Sequence, residues 1–239
     1  MASAHLAHPW RAFRAIANVR SSWLSREMLF GTLFGLAASL HTGLLWFEVD
    51  SAAARAITAL AAILLGLVLV YGIARLYMLR TVPVWHQVTT PVSFFITALL
   101  LGTLVAGTGL WLASGLTAAR SVNSAILMGC APWIALLAAA QAGIQLLVTA
   151  ISAVNLAARG RAGAKSLHIL VHGHRKLFIM WLLLLLVAAG LLVWLAMLST
   201  APPATDMLTV VAGAAVVVAW ATEVLGRYLF YSSYARVGL

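Results

Sequence analysis

The stretch from His5 to Phe30, HLAHPWRAFRAIANVRSSWLSREMLF, is where histidine, arginine, aromatic residues and a carboxylate crowd together in this chain. Histidine can donate, accept and carry a proton, and a carboxylate can take one. Arginine steadies an anionic oxygen. Together these groups suit a proton-coupled electron carrier at a membrane surface. Trp10, Phe13, Ala17 and Trp23 alternate with Arg11, Arg14 and Arg20. That pattern predicts an interfacial segment over residues 1–26, with its rings anchored and its arginine heads reaching water.

The elements that must position these groups are set by composition. The 239 residues are 64% hydrophobic and 8% charged, with a mean hydropathy of +1.03. Soluble domains carry about 25% charged residues, so the solvent for most of this chain is lipid. Six apolar runs reach the roughly 20 residues a spanning helix needs: 28–47, 54–78, 92–113, 125–158, 177–198 and 207–231. The fourth is long enough to tilt or to project from the bilayer. The expected fold is an all-α integral membrane bundle of about six helices. Residues 27–239 form one domain, with no linker and no internal repeat. No continuous apolar run occupies the first 26 residues, so no signal peptide is expected. The lone Cys130 excludes an internal disulfide and a cysteine-ligated cluster in this chain.

An even span count puts both termini on one side. That side carries Arg11, Arg14, Arg20, Arg26, Arg80, Arg159, Arg161, Lys165, Arg175, Lys176 and Arg236. The other carries Arg55 and Arg120 with Glu48, Asp50 and Asp206. The Lys/Arg excess predicts a cytoplasmic location for both termini and for the opening stretch. The net charge of +10 sits in loops between apolar runs, which points to topology or an acidic partner rather than nucleic acid.

A haem in a helical bundle usually needs two facing histidines. Only His41 falls inside a span; His5, His8, His86, His168, His172 and His174 fall in loops. No haem is expected, and His41 reads as a polar packing or interface residue. His168 and His172 would share a helix face, but cations rather than carboxylates surround them, so a solvated basic loop is expected there and no metal. Glu223 and Arg227, spaced i,i+4, are open to two readings: a proton or quinone-ring contact, or a structural pair locking the last helix to its neighbours. Tyr71 and Arg75 pose the same choice. The loop RTVPVWHQVTTP, residues 80–91, has prolines that end the flanking helices. It should be a rigid wall of the site or a partner contact, with His86 within it.

In order along the chain, HLAHPWRAF, SSWLSRE, YMLRTVPVWHQVTTPVSFFITALLLG and EVLGRYLFY resemble the membrane anchor subunit of the dimethyl sulfoxide reductase family of molybdopterin enzymes. The resemblance implies a haem-free anchor in the bacterial inner membrane, without an iron–sulfur cluster of its own. It would exchange electrons between a quinone pool, menaquinone or ubiquinone, and a four-cluster iron–sulfur subunit serving a molybdopterin catalytic subunit. It also implies a quinone site at His5 and Glu27, the positions matching the histidine of the H-L-x-x-P-x-R-A-F motif and the glutamate of the S-x-E motif. Arg11 and Arg26 would lie close by, with Arg75, His86, Glu223 and Arg227 as secondary positions. Histidine hydrogen-bonds a quinol hydroxyl, and a partly buried carboxylate can accept its proton near neutral pH. A carboxylate near a helix start is also a plain cap. The family pattern has eight spans, two of them ahead of the H-L-x-x-P motif, so either the start of this sequence falls too late in the reading frame or this is a shortened anchor lacking the first two. The cytoplasmic charge bias resembles the branch that includes sulfite–quinone oxidoreductases. A small-anion transporter and a passive anchor without a quinone site are the rival readings. The near absence of midplane polar residues and repeats speaks against the transporter.

Overall fold

The computed structural model describes residues 18–116, 120–199 and 205–233. Among these there is no strand. The helices are α1 (Trp23–Trp46), α2 (Ala52–Tyr77), α3 (Thr89–Leu116), α4 (Arg120–Ala157), α5 (Gly160–His168), α6 (Arg175–Ser199) and α7 (Thr205–Ser232). A π-helical turn, Ile169–Gly173, joins α5 to α6. Six of the helices are long and apolar enough to cross a membrane, and they fall on the six runs read from the sequence. The protein is a multi-pass helical membrane protein.

Two compact units divide the chain, Met1–Leu79 and Arg80–Leu239. In the first, α1 packs on α2. The contacts run in reverse order: Glu27 opposite Gly72, Gly31 opposite Leu69, Phe34 opposite Gly66, and His41 opposite Thr58. The two helices are therefore antiparallel, with small residues on the seam allowing close approach. His41 Nδ1 lies 3.0 Å from Thr58 Oγ1, so this imidazole ties the two helices together. Trp23–Arg26, at the end of the expected interfacial segment, already form the first turn of α1. Ser22 caps that turn, its side chain accepting from Ser25 N–H.

In the second unit α4 packs on α3 and α6, and α6 packs on α7. The core is built from Leu100, Leu104, Ala138, Ala188, Leu192, Ala215 and Ala219. Alanine supplies the close approach on three of these helices. Polar side chains such as Gln141, Gln145, Thr222 and Glu223 are buried, whereas Leu36, Ile57, Ile63 and Val217 point out and are each more than 60% exposed. That inversion of the soluble pattern suits a lipid surround. At about 1.5 Å per residue, the 38 residues of α4 extend about 57 Å, nearly twice a hydrocarbon core of roughly 30 Å. A helix of that length has to tilt or project from a bilayer.

The segment joining α2 to α3 is pinned on every side. Val82 and Val84 are buried against Leu156. Gln87 Nε2 donates to the Val84 carbonyl at 3.2 Å and to Ser152 Oγ at 3.0 Å, Thr90 Oγ1 donates to the Trp85 carbonyl at 2.8 Å, and Arg159 donates to the His86 carbonyl. Pro91 sits in the first turn of α3, where a missing N–H costs nothing.

Candidate functional site

Within the first unit, the start of α1 and the end of α2 meet at one end of the hairpin. Trp23, in the first turn of α1, packs edge-on against Tyr71 with ring centroids 6.0 Å apart. Two guanidinium groups flank the same indole, Arg26 at 4.4 Å and Arg75 at 5.2 Å from its centroid. Such cation–π contacts hold a charge at a site that water only partly reaches.

Glu27 lies in the second turn of α1, beyond the cap supplied by Ser22. It is therefore not the helix cap. Its Cα faces Gly72, where an added Cβ would come within 4.0 Å of that atom, so the glycine lets α2 come close to the carboxylate-bearing turn. One turn along α2 from Gly72 is Arg75. Glu27 Oε2 and Arg75 Nε are each buried without a hydrogen-bond partner among the described residues. An unsatisfied acceptor on α1 and an unsatisfied donor on α2 thus occur at the same end of the hairpin. Buried polar groups are rarely left so, and a ligand carrying both a hydroxyl donor and an oxygen acceptor would satisfy both.

Arg26 is differently employed. Its Nε donates to the Val19 carbonyl at 2.8 Å and its Nη2 to the Arg20 carbonyl at 2.7 Å. It clamps the entering chain onto α1. His5 and Arg11 lie outside the described residues.

In the second unit, Arg227 Nη2 donates to Thr97 Oγ1 at 2.6 Å, and Thr97 Oγ1 donates to Glu223 Oε2 at 2.6 Å. The same Nη2 reaches the Ser93 carbonyl at 3.2 Å, and the guanidinium carbon lies 3.9 Å over the Phe94 ring. This is the geometry of a structural link between α7 and α3. His86 belongs to the pinned loop. His168 and His172 stack, 4.5 Å apart and 12° from parallel. No group of three metal-ligating side chains occurs among the described residues.

Two polar residues stand outside every motif read from the sequence. Gln141 and Gln145 are buried on α4, with Gln145 Nε2 donating to Ser93 Oγ at 3.2 Å and Gln141 Nε2 to Thr103 Oγ1 at 3.5 Å. Their i,i+4 spacing inside an apolar run was the available signal.

Sequence comparison agrees with the architecture of a membrane anchor. Residues 1–233 match the family described as DMSO reductase anchor subunit (DmsC), and the chain belongs to that family. It is 30% identical over 244 residues to the C subunit of anaerobic dimethyl sulfoxide reductase from Escherichia coli K12, an alignment covering 98% of this chain and 76% of the relative. Shorter stretches resemble the anaerobic dimethyl sulfoxide reductase subunit YnfH of the same organism, 33% identical over 43% of this chain and 36% of the relative. The corresponding C subunit from Haemophilus influenzae Rd is 26% identical over 41% of this chain and 35% of the relative. No solved structure matches.

Proposed function

We propose that this protein is the haem-free membrane anchor of a molybdopterin oxidoreductase complex. It would pass electrons between the quinone pool and a four-cluster iron–sulfur subunit, with both termini on the cytoplasmic face of a bacterial inner membrane. Family membership supports the anchor role. The observation that carries the quinone reading is the unsatisfied Glu27 Oε2 at the same end of the α1–α2 hairpin as the Trp23, Tyr71 and Arg75 contacts.

A quinol brings two electrons and two protons to such a site. Glu27 would accept a hydrogen bond, then a proton, from one hydroxyl. Arg75 Nε would donate to an oxygen of the same ring, and Trp23 and Tyr71 would give it an apolar, aromatic wall. His5 is the partner expected on the opposite side of the ring, and Arg11 a nearby charge. Arg26 would act by fixing the chain that leads into α1.

The test is made in the complete complex. Glu27→Gln should slow quinol-linked turnover without loss of assembly. His5→Ala should weaken quinol-analogue binding roughly 5- to 150-fold, since a lost hydrogen bond at a partly buried site costs about 1–3 kcal/mol. An artificial donor that reduces the catalytic module directly should support unchanged activity in both variants. Normal quinol turnover in both would move the site elsewhere.

A further inference from the structure

The second unit contains a cavity of about 300 Å³ that the quinone reading does not use. Its walls are mainly apolar and come from α3, α4, α6, α7 and the α5–α6 corner, with Leu170, Val171, Phe178 and Trp181 on one side. Along α4 it runs from Leu156 in to Gln145. At about 1.5 Å per residue that is about 16 Å, or about half of a bilayer's roughly 30 Å hydrocarbon core. This is the depth an acyl chain reaches within one leaflet.

The segment that closes one end of the cavity is also the most cationic in the chain. From Arg159 to Lys176 there are five Lys/Arg and three His residues, and no Asp or Glu. Arg159 is committed to the His86 carbonyl. Arg161, Lys165, Arg175 and Lys176 are exposed, and none pairs with a carboxylate among the described residues. The α5 corner is two-faced. Ser166 is fully buried, and Leu167 and Leu170 line the cavity, while Arg161, Lys165, His168 and His172 are exposed. The segment joins the end of one span, Ala157, to the start of the next, Arg175. Cations between two consecutive spans would stand near headgroup depth.

We propose that this corner is a binding site for an anionic phospholipid. Its phosphates would lie on Lys165, Arg175 and Lys176, and one acyl chain would enter the cavity beneath Leu170 and Val171. Unpaired cations and a leaflet-deep apolar cavity in the same corner match the two halves of such a lipid. A purely protein-facing basic patch would have no use for the cavity.

The experiment uses the full-length protein, delipidated in dodecyl maltoside, with mixed micelles of diphosphatidylglycerol or of phosphatidylcholine. Binding is read by native mass spectrometry and by thermal shift. Diphosphatidylglycerol should be retained and should stabilise, whereas phosphatidylcholine and inorganic phosphate should do neither. Each cation near an anionic headgroup contributes about fivefold, so replacing Lys165, Arg175 and Lys176 together by Gln should weaken retention roughly 100-fold. Ala153→Phe, which fills the cavity and keeps every charge, should weaken it as well; if that variant fails to fold, Val171→Trp narrows the cavity from another wall. Equal stabilisation by phosphate alone would reduce the corner to a simple anion site and overturn the proposal. Lipid retention unchanged in the triple variant would overturn it too, and loss of the complex's soluble subunits in that variant would mark the surface as a protein interface instead.

Discussion

Trp85 Nε1 donates to the backbone carbonyl of Phe230, 2.9 Å away and 145 positions further along the chain. The two rings also stack, with centroids 5.8 Å apart. One side chain thus fastens the α2–α3 loop to the end of α7. Trp85→Phe keeps the ring and loses the donor. It should lower stability by about 0.5–1.5 kcal/mol, measured by thermal or denaturant unfolding in detergent. Trp85→Ala should cost more, because the stacking goes too.

Thr97 joins Glu223 to Arg227 through one hydroxyl. Thr97→Val keeps the shape and removes the bridge. The acid on α7 then loses its donor, and destabilisation of about 1–3 kcal/mol is expected. Thr97→Ser should retain most of the stability. Equal melting temperatures for Thr97→Val and the parent would remove the bridge as a stabilising element.

A Cβ at Gly226 would lie 2.7 Å from Trp181 Nε1, closer than side chains tolerate. Trp181 is 4% exposed, so its indole has little room to retreat. Gly226→Ala should therefore cost about 1–3 kcal/mol. Combining it with Trp181→Phe should recover part of that loss. A double-mutant cycle showing strict additivity would mean that the two positions do not press on each other.

The basic Arg159–Lys176 segment carries a prediction about orientation. Reporters fused after Gly163 and after Pro203, on either side of α6, should give opposite signals, with Gly163 cytoplasmic. A periplasmic signal at Gly163 would reverse the orientation and remove the ground for a cytoplasmic catalytic module.

The spans were legible because apolar runs of bilayer length have few alternative fates. The α1 start at Trp23 was less so, since Ser22 as a cap is a local hydrogen bond that hydropathy does not register. At the site, Glu27 and the Tyr71–Arg75 turn stood out by residue type. The packing of Tyr71 and Arg75 on Trp23, at the hairpin end that also carries Glu27, did not, because it depends on how α1 and α2 align, and that alignment is set by small residues such as Gly72 on an almost uniformly apolar seam. Arg26 illustrates the limit. Its place next to Glu27 is legible in the sequence, while the two backbone carbonyls that accept from it are not. Glu223 and Arg227 showed their pairing in their spacing, while Thr97, 126 positions from Glu223, could not be seen.

The spacing of Glu223 and Arg227 also bears on how the protein is made. A lone ionised group at the centre of a nascent span costs the insertion machinery roughly 2.5–3.5 kcal/mol. α7 leaves the ribosome after α3, with an acid and a base already one turn apart, so they can neutralise each other before α3 is met. Thr97 has by then been synthesised within α3, and exchange of the nascent pair for the finished bridge would be a late event in biogenesis. An α7 carrying Arg227→Leu would have to enter the bilayer with an uncompensated carboxylate. The resulting defect would show first as failed insertion during synthesis.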